Sequence, residues 1–162
     1  MEIVPFNEEF SEAVLAIYKQ GIDSRNATFE TEVPPHDEWI KKFHPDLLWV
    51  AIVNDQAVGW AGLQPVSTRK AYEGVAEVTI YIDAAFTGMG IGTKLMTKIV
   101  AESEIAGIWT LYASIFPENA ASINLHRRHG FREIGFRERI AQLDGKWRNT
   151  ILFERRSKKV GL

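Results

Sequence analysis

Apolar residues recur along this chain with two periods, and the switches between them lay out the elements. Glu2-Ile3-Val4-Pro5-Phe6 reads as a short strand, with Pro5 suited to an edge or a strand end. Asn7 can cap a helix from Glu8 to about Gly21, in which Ala13, Val14, Ile17 and Tyr18 fall at helical spacing. Ser24 to Pro35 is polar apart from Phe29 and reads as a loop. A second helix is expected from Asp37 to Phe43, ending before the residue that precedes Pro45. Leu47–Val53 and Ala57–Leu63 are apolar runs joined by Asn54-Asp55-Gln56, the pattern of an antiparallel hairpin.

After a loop from Gln64 to Gly74, Val75–Ile82 forms a longer strand. The main helix, Ile91 to Ala106, sets Ile91, Leu95, Met96, Ile99 and Val100 against Lys94, Lys98 and Glu102, and Gly107 can end it. Ile108–Ile115 is a further strand, and Asn119–His129 a helix closed by Gly130. Two last strands, Phe131–Arg137 and Thr150–Glu154, flank a turn at Asp144-Gly145. No repeat or linker interrupts this order. The expectation is one α/β (α+β) domain over residues 1–162, with a mixed seven-stranded sheet and about four helices.

Composition narrows the chemistry. The 162 residues suit a single sizeable core, and 46% apolar with 25% charged is ordinary for a globular protein. A net charge of −2, with Lys and Arg scattered except in Arg155-Arg156-Ser157-Lys158-Lys159, argues against a nucleic-acid surface. No run is long and apolar enough for a membrane span, so a cytoplasmic protein is the expectation. There is no cysteine, hence no disulfide, no thiolate metal site and no cysteine nucleophile.

The most informative stretch is Phe86-Thr87-Gly88-Met89-Gly90-Ile91-Gly92-Thr93, between the long strand and the main helix. Glycines at alternate positions permit a tight turn and leave no Cβ to hold a ligand away. The helix behind aims its unpaired N–H groups and dipole at the same point, which makes an anion cradle, most often for phosphate. The dinucleotide fingerprint fails, because Thr93 stands where a third glycine is required. The Walker pattern fails too, because Thr93-Lys94 reverses its last two types. A plain strand-to-helix turn is the bland alternative.

Several separated motifs, in this order of elements, resemble the GNAT superfamily of N-acetyltransferases. They are Ala76-Glu77-Val78-Thr79-Ile80-Tyr81-Ile82, the Gly90-Ile91-Gly92 turn, and Asn119-Ala120-Ala121-Ser122 leading to His129-Gly130-Phe131. Within it the chain looks closest to the phosphinothricin/methionine sulfoximine acetyltransferase group. The segments Thr28-Phe29-Glu30-Thr31, Arg69-Lys70-Ala71-Tyr72 and Asp144-Gly145-Lys146-Trp147 carry that likeness. The resemblance implies acetyl-CoA as cosubstrate, its diphosphate held by backbone N–H groups from Gly88, Met89, Gly90, Ile91, Gly92 and Thr93. Its pantetheine arm would pair with backbone at Ile80, Tyr81 and Ile82, with Asn119 and Ser122 beside it. A small amine substrate, no metal and a homodimer are implied as well. Thr87 and Gly88 stand where such enzymes often carry basic residues, which should weaken the grip without removing the backbone donors.

Acetyl transfer to an amine needs a neutral amine, a proton acceptor and a donor for the oxyanion. Glu77, within an apolar strand, is the candidate base, acting through water; its other reading is a solvent-facing strand residue. His126 stands where many such enzymes place a tyrosine that protonates the leaving thiolate; its other reading, and the one to prefer, is a helix-surface or packed histidine. His126 and His129, three apart, lack the partners of a metal site. Phe29, Glu30, Arg69 and Tyr72 are expected around the acceptor, with Arg69 either clamping a carboxylate or lying exposed. Trp49, Trp60, Trp109 and Phe153 read as core, Trp39 as facing the acceptor cleft, and Trp147 as late-turn packing or a subunit contact.

Overall fold

The computed structural model describes residues 1–162. Seven strands are β1 (Glu2–Pro5), β2 (Leu48–Val53), β3 (Gln56–Pro65), β4 (Val75–Ile82), β5 (Thr110–Ile115), β6 (Arg132–Leu143) and β7 (Lys146–Arg156). Four helices are α1 (Ser11–Asp23), α2 (His36–Ile40), α3 (Ile91–Ile105) and α4 (Ala120–Arg128). The strands form one sheet in the order β1-β2-β3-β4-β5-β7-β6, antiparallel everywhere except between β4 and β5. The expected mixed sheet is present.

Alternation along the strands divides the core between the two faces of the sheet. Leu95, Met96 and Ile99 of α3 pack with Ala76, Val78, Leu111 and Phe153 on one face. Val14, Ile17, Tyr18 and Ile22 of α1 pack with Trp39, Phe43 and Trp60 on the other. Trp60 is the hub of the second face, with edge-on Tyr18, Trp39 and Phe43 rings at 5.3–5.9 Å and Tyr81 stacked on it at 5.2 Å.

Several boundaries differ from the sequence reading for identifiable reasons. Asn7 caps a 3₁₀ turn over Glu8–Phe10 rather than the helix itself, and α1 then runs through Gly21 to Asp23. That glycine is a contact, not a stop: a Cβ on it would lie 2.3 Å from Cε1 of the Tyr81 ring. The second helix is one residue early and stops at Ile40. The fifth strand begins at Thr110, and Trp109 is half-buried against Gly74 and Gly161 instead of in the core. Trp49 is also half-buried, with the Lys98 ammonium 4.2 Å from its ring.

The final hairpin is much longer than its apolar pattern suggested. The register of β6 on β7 slips between Glu133 and Gly135 and again between Arg137 and Ala141, with Arg139 at φ 48°. Bulges scramble the period-two pattern from which strands are read, so the sequence shows only fragments.

Candidate active site

Strands β4 and β5 pair only at Val75–Thr110, Ala76–Leu111 and Glu77–Tyr112, and then separate. Beyond Glu77, β4 still pairs with β3 as far as Ile82–Gly59. Antiparallel partners exchange bonds at alternate residues. The Asp83 N–H donates to the Val58 carbonyl at 2.9 Å, which fixes the phase. Thr79 and Tyr81 therefore direct their main-chain groups to β3, while Ile80 and Ile82 direct theirs into the gap. The sequence assigned this role to all three of Ile80, Tyr81 and Ile82; the middle one is already committed to its neighbour strand.

At the end of β4 the chain passes through a 3₁₀ turn, Ala84–Phe86, into the glycine segment. Gly88 and Gly90 both have φ 78°, a left-handed conformation that glycine adopts without steric cost. A Cβ built on either meets nothing within 4 Å, so these glycines serve the turn and leave open space in front of it. Gly90 is the residue before α3, whose first N–H groups have no partner within the helix. A cavity of about 460 Å³ lies there, bordered by Thr87, Gly88, Gly90, Gly92 and Thr93 and, from α4, by Asn124 and Arg128. Met89 is 57% exposed, with its side chain outside this cavity. Arg128 was not foreseen. From α4 it brings a cation to a cradle to which Thr87 and Gly88 bring none.

A larger cleft of about 840 Å³ begins in the gap and continues across the α1 face of the sheet. Glu77, Thr79 and Tyr81 point into it from alternate positions of β4. Glu77 is half-buried. Burial pushes its carboxyl above its ordinary pKa, and the Arg137 guanidinium offsets part of the rise. Burial likewise raises the phenols of Tyr81 and Tyr18, which therefore stay protonated as donors at neutral pH. Phe29 and Glu30 border the cleft, and Phe29 is held edge-on to Phe116 at 5.0 Å. Trp39 and Trp60 form its floor, and their buried indole N–H groups have no partner in the chain.

The α4 side of the cleft carries Asn119, Ser122 and His126. Asn119 is the N-cap: its Oδ1 accepts the Ser122 N–H at 3.1 Å, and its Nδ2 donates to the Asn26 carbonyl at 3.0 Å. It thereby ties the loop after α1 to α4. His126 is 2% exposed. Its Nδ1 lies 2.7 Å from the Ser122 carbonyl, which only accepts, so the proton of the neutral ring is on Nδ1. Nε2 is then a lone pair, buried and unpartnered. Burial also lowers the pKa of this ring, so the imidazolium needed to donate from Nε2 is disfavoured. His129 similarly places Nδ1 2.8 Å from the Leu125 carbonyl, and no group of His, Asp and Glu is arranged to hold a metal ion.

Arg69 and Tyr72 do not reach the cleft. They stack on each other in a surface turn, the guanidinium 5.3 Å from the ring centroid. Arg137 of β6 does border the cleft, and nothing in the local sequence pattern marked it, because it sits at a bulge. No helix is long and apolar enough to cross a membrane.

A strand with free main-chain groups, an open glycine turn and a helix N-terminus in sequence fit a ligand with an amide-bearing arm and an anionic head. Comparison with known proteins agrees. The sequence profile of the acetyltransferase (GNAT) family matches residues 14–131. The chain is 38% identical over 141 residues to Bacillus subtilis YwnH, provisionally named a phosphinothricin acetyltransferase, covering 83% of this chain and 86% of that one. It is 25% identical over 140 residues to the L-methionine sulfoximine/L-methionine sulfone acetyltransferase of Pseudomonas paraeruginosa, with 83% and 81% covered. Among solved structures, the ribosomal-protein-alanine N-acetyltransferase of Brucella melitensis superposes with a TM-score of 0.90 at 27% identity, covering 97% and 100%. A Sinorhizobium meliloti phosphinothricin acetyltransferase in complex with AcCoA gives 0.89 at 23% identity, covering 99% and 90%. With the gap beside β4, the cradle before α3 and this profile over most of its length, the chain belongs to the acetyltransferase (GNAT) family.

Proposed function

We propose that this N-acetyltransferase transfers acetyl directly from acetyl-CoA to the α-amine of a small amino acid or analogue. The class intended is that of methionine sulfoximine, methionine sulfone and phosphinothricin, with Glu77 as general base. The observation that carries the reading is a half-buried carboxylate at the level where β4 loses its partner, facing a cleft continuous with the cradle. Relatives named for those substrates support the acceptor class.

GNAT acetyltransferases use acetyl-CoA, which supplies an acetyl thioester activated toward a neutral amine. The residues of this chain do the rest. N–H groups from Gly88 to Thr93, with Arg128, hold the diphosphate; Ile80 and Ile82 align the arm with their free main-chain groups. Tyr81 forms the cleft wall with its ring. An N–H near Ile82 donates to the thioester oxygen as charge gathers there. Glu77 takes the ammonium proton through water, its raised pKa placing it closer to the working pH. Without any cysteine, direct attack replaces a covalent thioester on the enzyme. His126 supplies an acceptor at Nε2 and orients α4, and the leaving thiolate takes its proton from solvent. Asn119 and Ser122 set the N-terminus of α4 against the arm, and Phe29 and Glu30 border the acceptor.

Exposed Ile134, Phe136 and Trp147 on the last hairpin support a homodimer through that hairpin. Sedimentation at assay concentration tests it; a single monomeric species contradicts it. We place the reaction in the cytoplasm, where acetyl-CoA is formed and used. A second reading, acetylation of a protein N-terminus, is favoured by the name of the Brucella neighbour.

Thiol release over a panel of amines, run beside calorimetry with acetyl-CoA, separates these readings. Turnover on the methionine sulfoximine class supports the first, and turnover on alanine-initiated peptides alone supports the second. Binding with no turnover on any amine makes the chain an acyl-CoA sensor and overturns both.

A further inference from the structure

An amino-acid acceptor brings a carboxylate two bonds from its amine carbon's nitrogen, and a half-buried cleft has to answer that charge. The cleft contains two carboxylates, Glu30 and Glu77, which repel it. Its permanent cations are Lys42 and Arg137. The amine must sit by Glu77 if that residue receives its proton, so the cation that meets the carboxylate must also be near Glu77. Arg137 satisfies this: it borders the same cleft as Glu77, and its charge offsets part of the rise that burial imposes on the Glu77 carboxyl.

Arg137 is also free to bind. Three other arginines of β6 and β7 are engaged: Arg132 with Glu154, Arg148 with Glu118 and the Arg25 carbonyl, Arg155 with Glu104. Arg137 makes no such bond. Its backbone is nonetheless fixed, because the adjacent bulge is pinned by the Arg139 N–H donating to Asn149 Oδ1 at 2.8 Å. Bulges next to active sites commonly re-aim one side chain in this way. Directly across the ladder is Thr150, 4% exposed, which borders the same cleft and whose hydroxyl has no partner. An unpaired fork of donors and an unpaired hydroxyl thus stand side by side at the acceptor end.

Building on the amino-acid reading above, we propose that Arg137, assisted by Thr150, receives the α-carboxylate of the acceptor and so selects amino acids over simple amines. Arg69, the arginine that the sequence nominated, is spent on Tyr72 outside the cleft.

The test compares one amino acid that the wild type acetylates with its primary amide, in wild type, Arg137→Gln, Arg137→Lys and Arg69→Gln. Loss of a charge-assisted, two-pronged contact should raise KM for the acid about 10- to 100-fold in Arg137→Gln. KM for the amide and for acetyl-CoA should stay unchanged, which also shows the variant is folded. Arg137→Lys should recover part of the loss, and Arg69→Gln should leave acid and amide as in wild type. Equal changes for acid and amide in Arg137→Gln, or no change in either, overturn the proposal. So does an acid-specific loss in Arg69→Gln alone. A wild type that binds acetyl-CoA yet acetylates no amino acid overturns the acceptor reading first, and this proposal with it.

Discussion

Glu77 is the last residue of β4 that β5 pairs, half-buried, with Arg137 acting on its charge. The sequence placed a carboxylate in an apolar strand and left two readings, base or surface residue. The base reading proposed here leans on where the neighbouring strand departs, and strand separation has no local sequence mark. The consequence is a pH dependence with a definite sign. Burial raises the Glu77 pKa, so the carboxylate is lost, and kcat/KM declines, at a higher pH than an ordinary glutamate would give. Glu77→Gln should lower kcat about 10²- to 10⁴-fold at neutral pH and remove that acid limb. A pH–rate profile measures both, and a variant with wild-type turnover rules out the role. His126 shows the opposite case. The sequence left it as a proton donor or a packed helix residue; the ring is buried, and the Ser122 carbonyl beside Nδ1 leaves an acceptor at Nε2, a tautomer set by a partner that the sequence does not show. Arg69 and Arg137 make the same point about charge: a type-and-spacing motif nominated one, and a bulge delivers the other to the cleft.

Among the elements, α1 and α3 were readable because each has a continuous apolar face on one side of the sheet. The glycines within and before them were less so. Gly88 and Gly90 were assigned as turn-forming residues, and their positive φ angles agree. Gly21 read as a helix end, yet it lies inside α1 and lets the Tyr81 ring approach the helix backbone. Two effects compete in Gly21→Ala. Helix propensity favours alanine by up to about 1 kcal/mol. Against it, the new Cβ would fall 2.3–2.4 Å from two ring atoms of Tyr81. That ring cannot swing away cheaply, being stacked on Trp60 and edge-on to Tyr18. Overpacking of this kind costs about 1–3 kcal/mol. Net destabilisation is therefore expected, seen as a lower thermal midpoint, and a raised midpoint would show that the ring is free to move. The short α2 and the bulged β6–β7 hairpin were the poorly read elements, the first because it ends after five residues, the second because its register slips twice.

Over the whole molecule, the sheet opens at its single parallel pair, between β4 and β5. A parallel crossover through α3 brings β5 alongside β4, and the pair is kept together only over its first three residues. The C-terminal segment is secured away from this opening: Glu104 of α3 accepts from Ser157 Oγ at 2.9 Å and pairs with Arg155 and Lys159. Burial alone would raise the Glu104 carboxyl, but hydrogen bonds from Lys159, Ser157 and Arg155 outweigh it and leave the pKa lowered. The end of β7 is thus tied to α3, away from the splay and the cradle, where main-chain groups of β4 and the first turn of α3 stay free. Amide-resolved hydrogen exchange during titration with coenzyme A tests that arrangement most directly. Exchange should slow at Ile80, Ile82 and residues 88–93, with the Arg69–Tyr72 turn unaffected. Absence of binding, or protection confined to other segments, would contradict it.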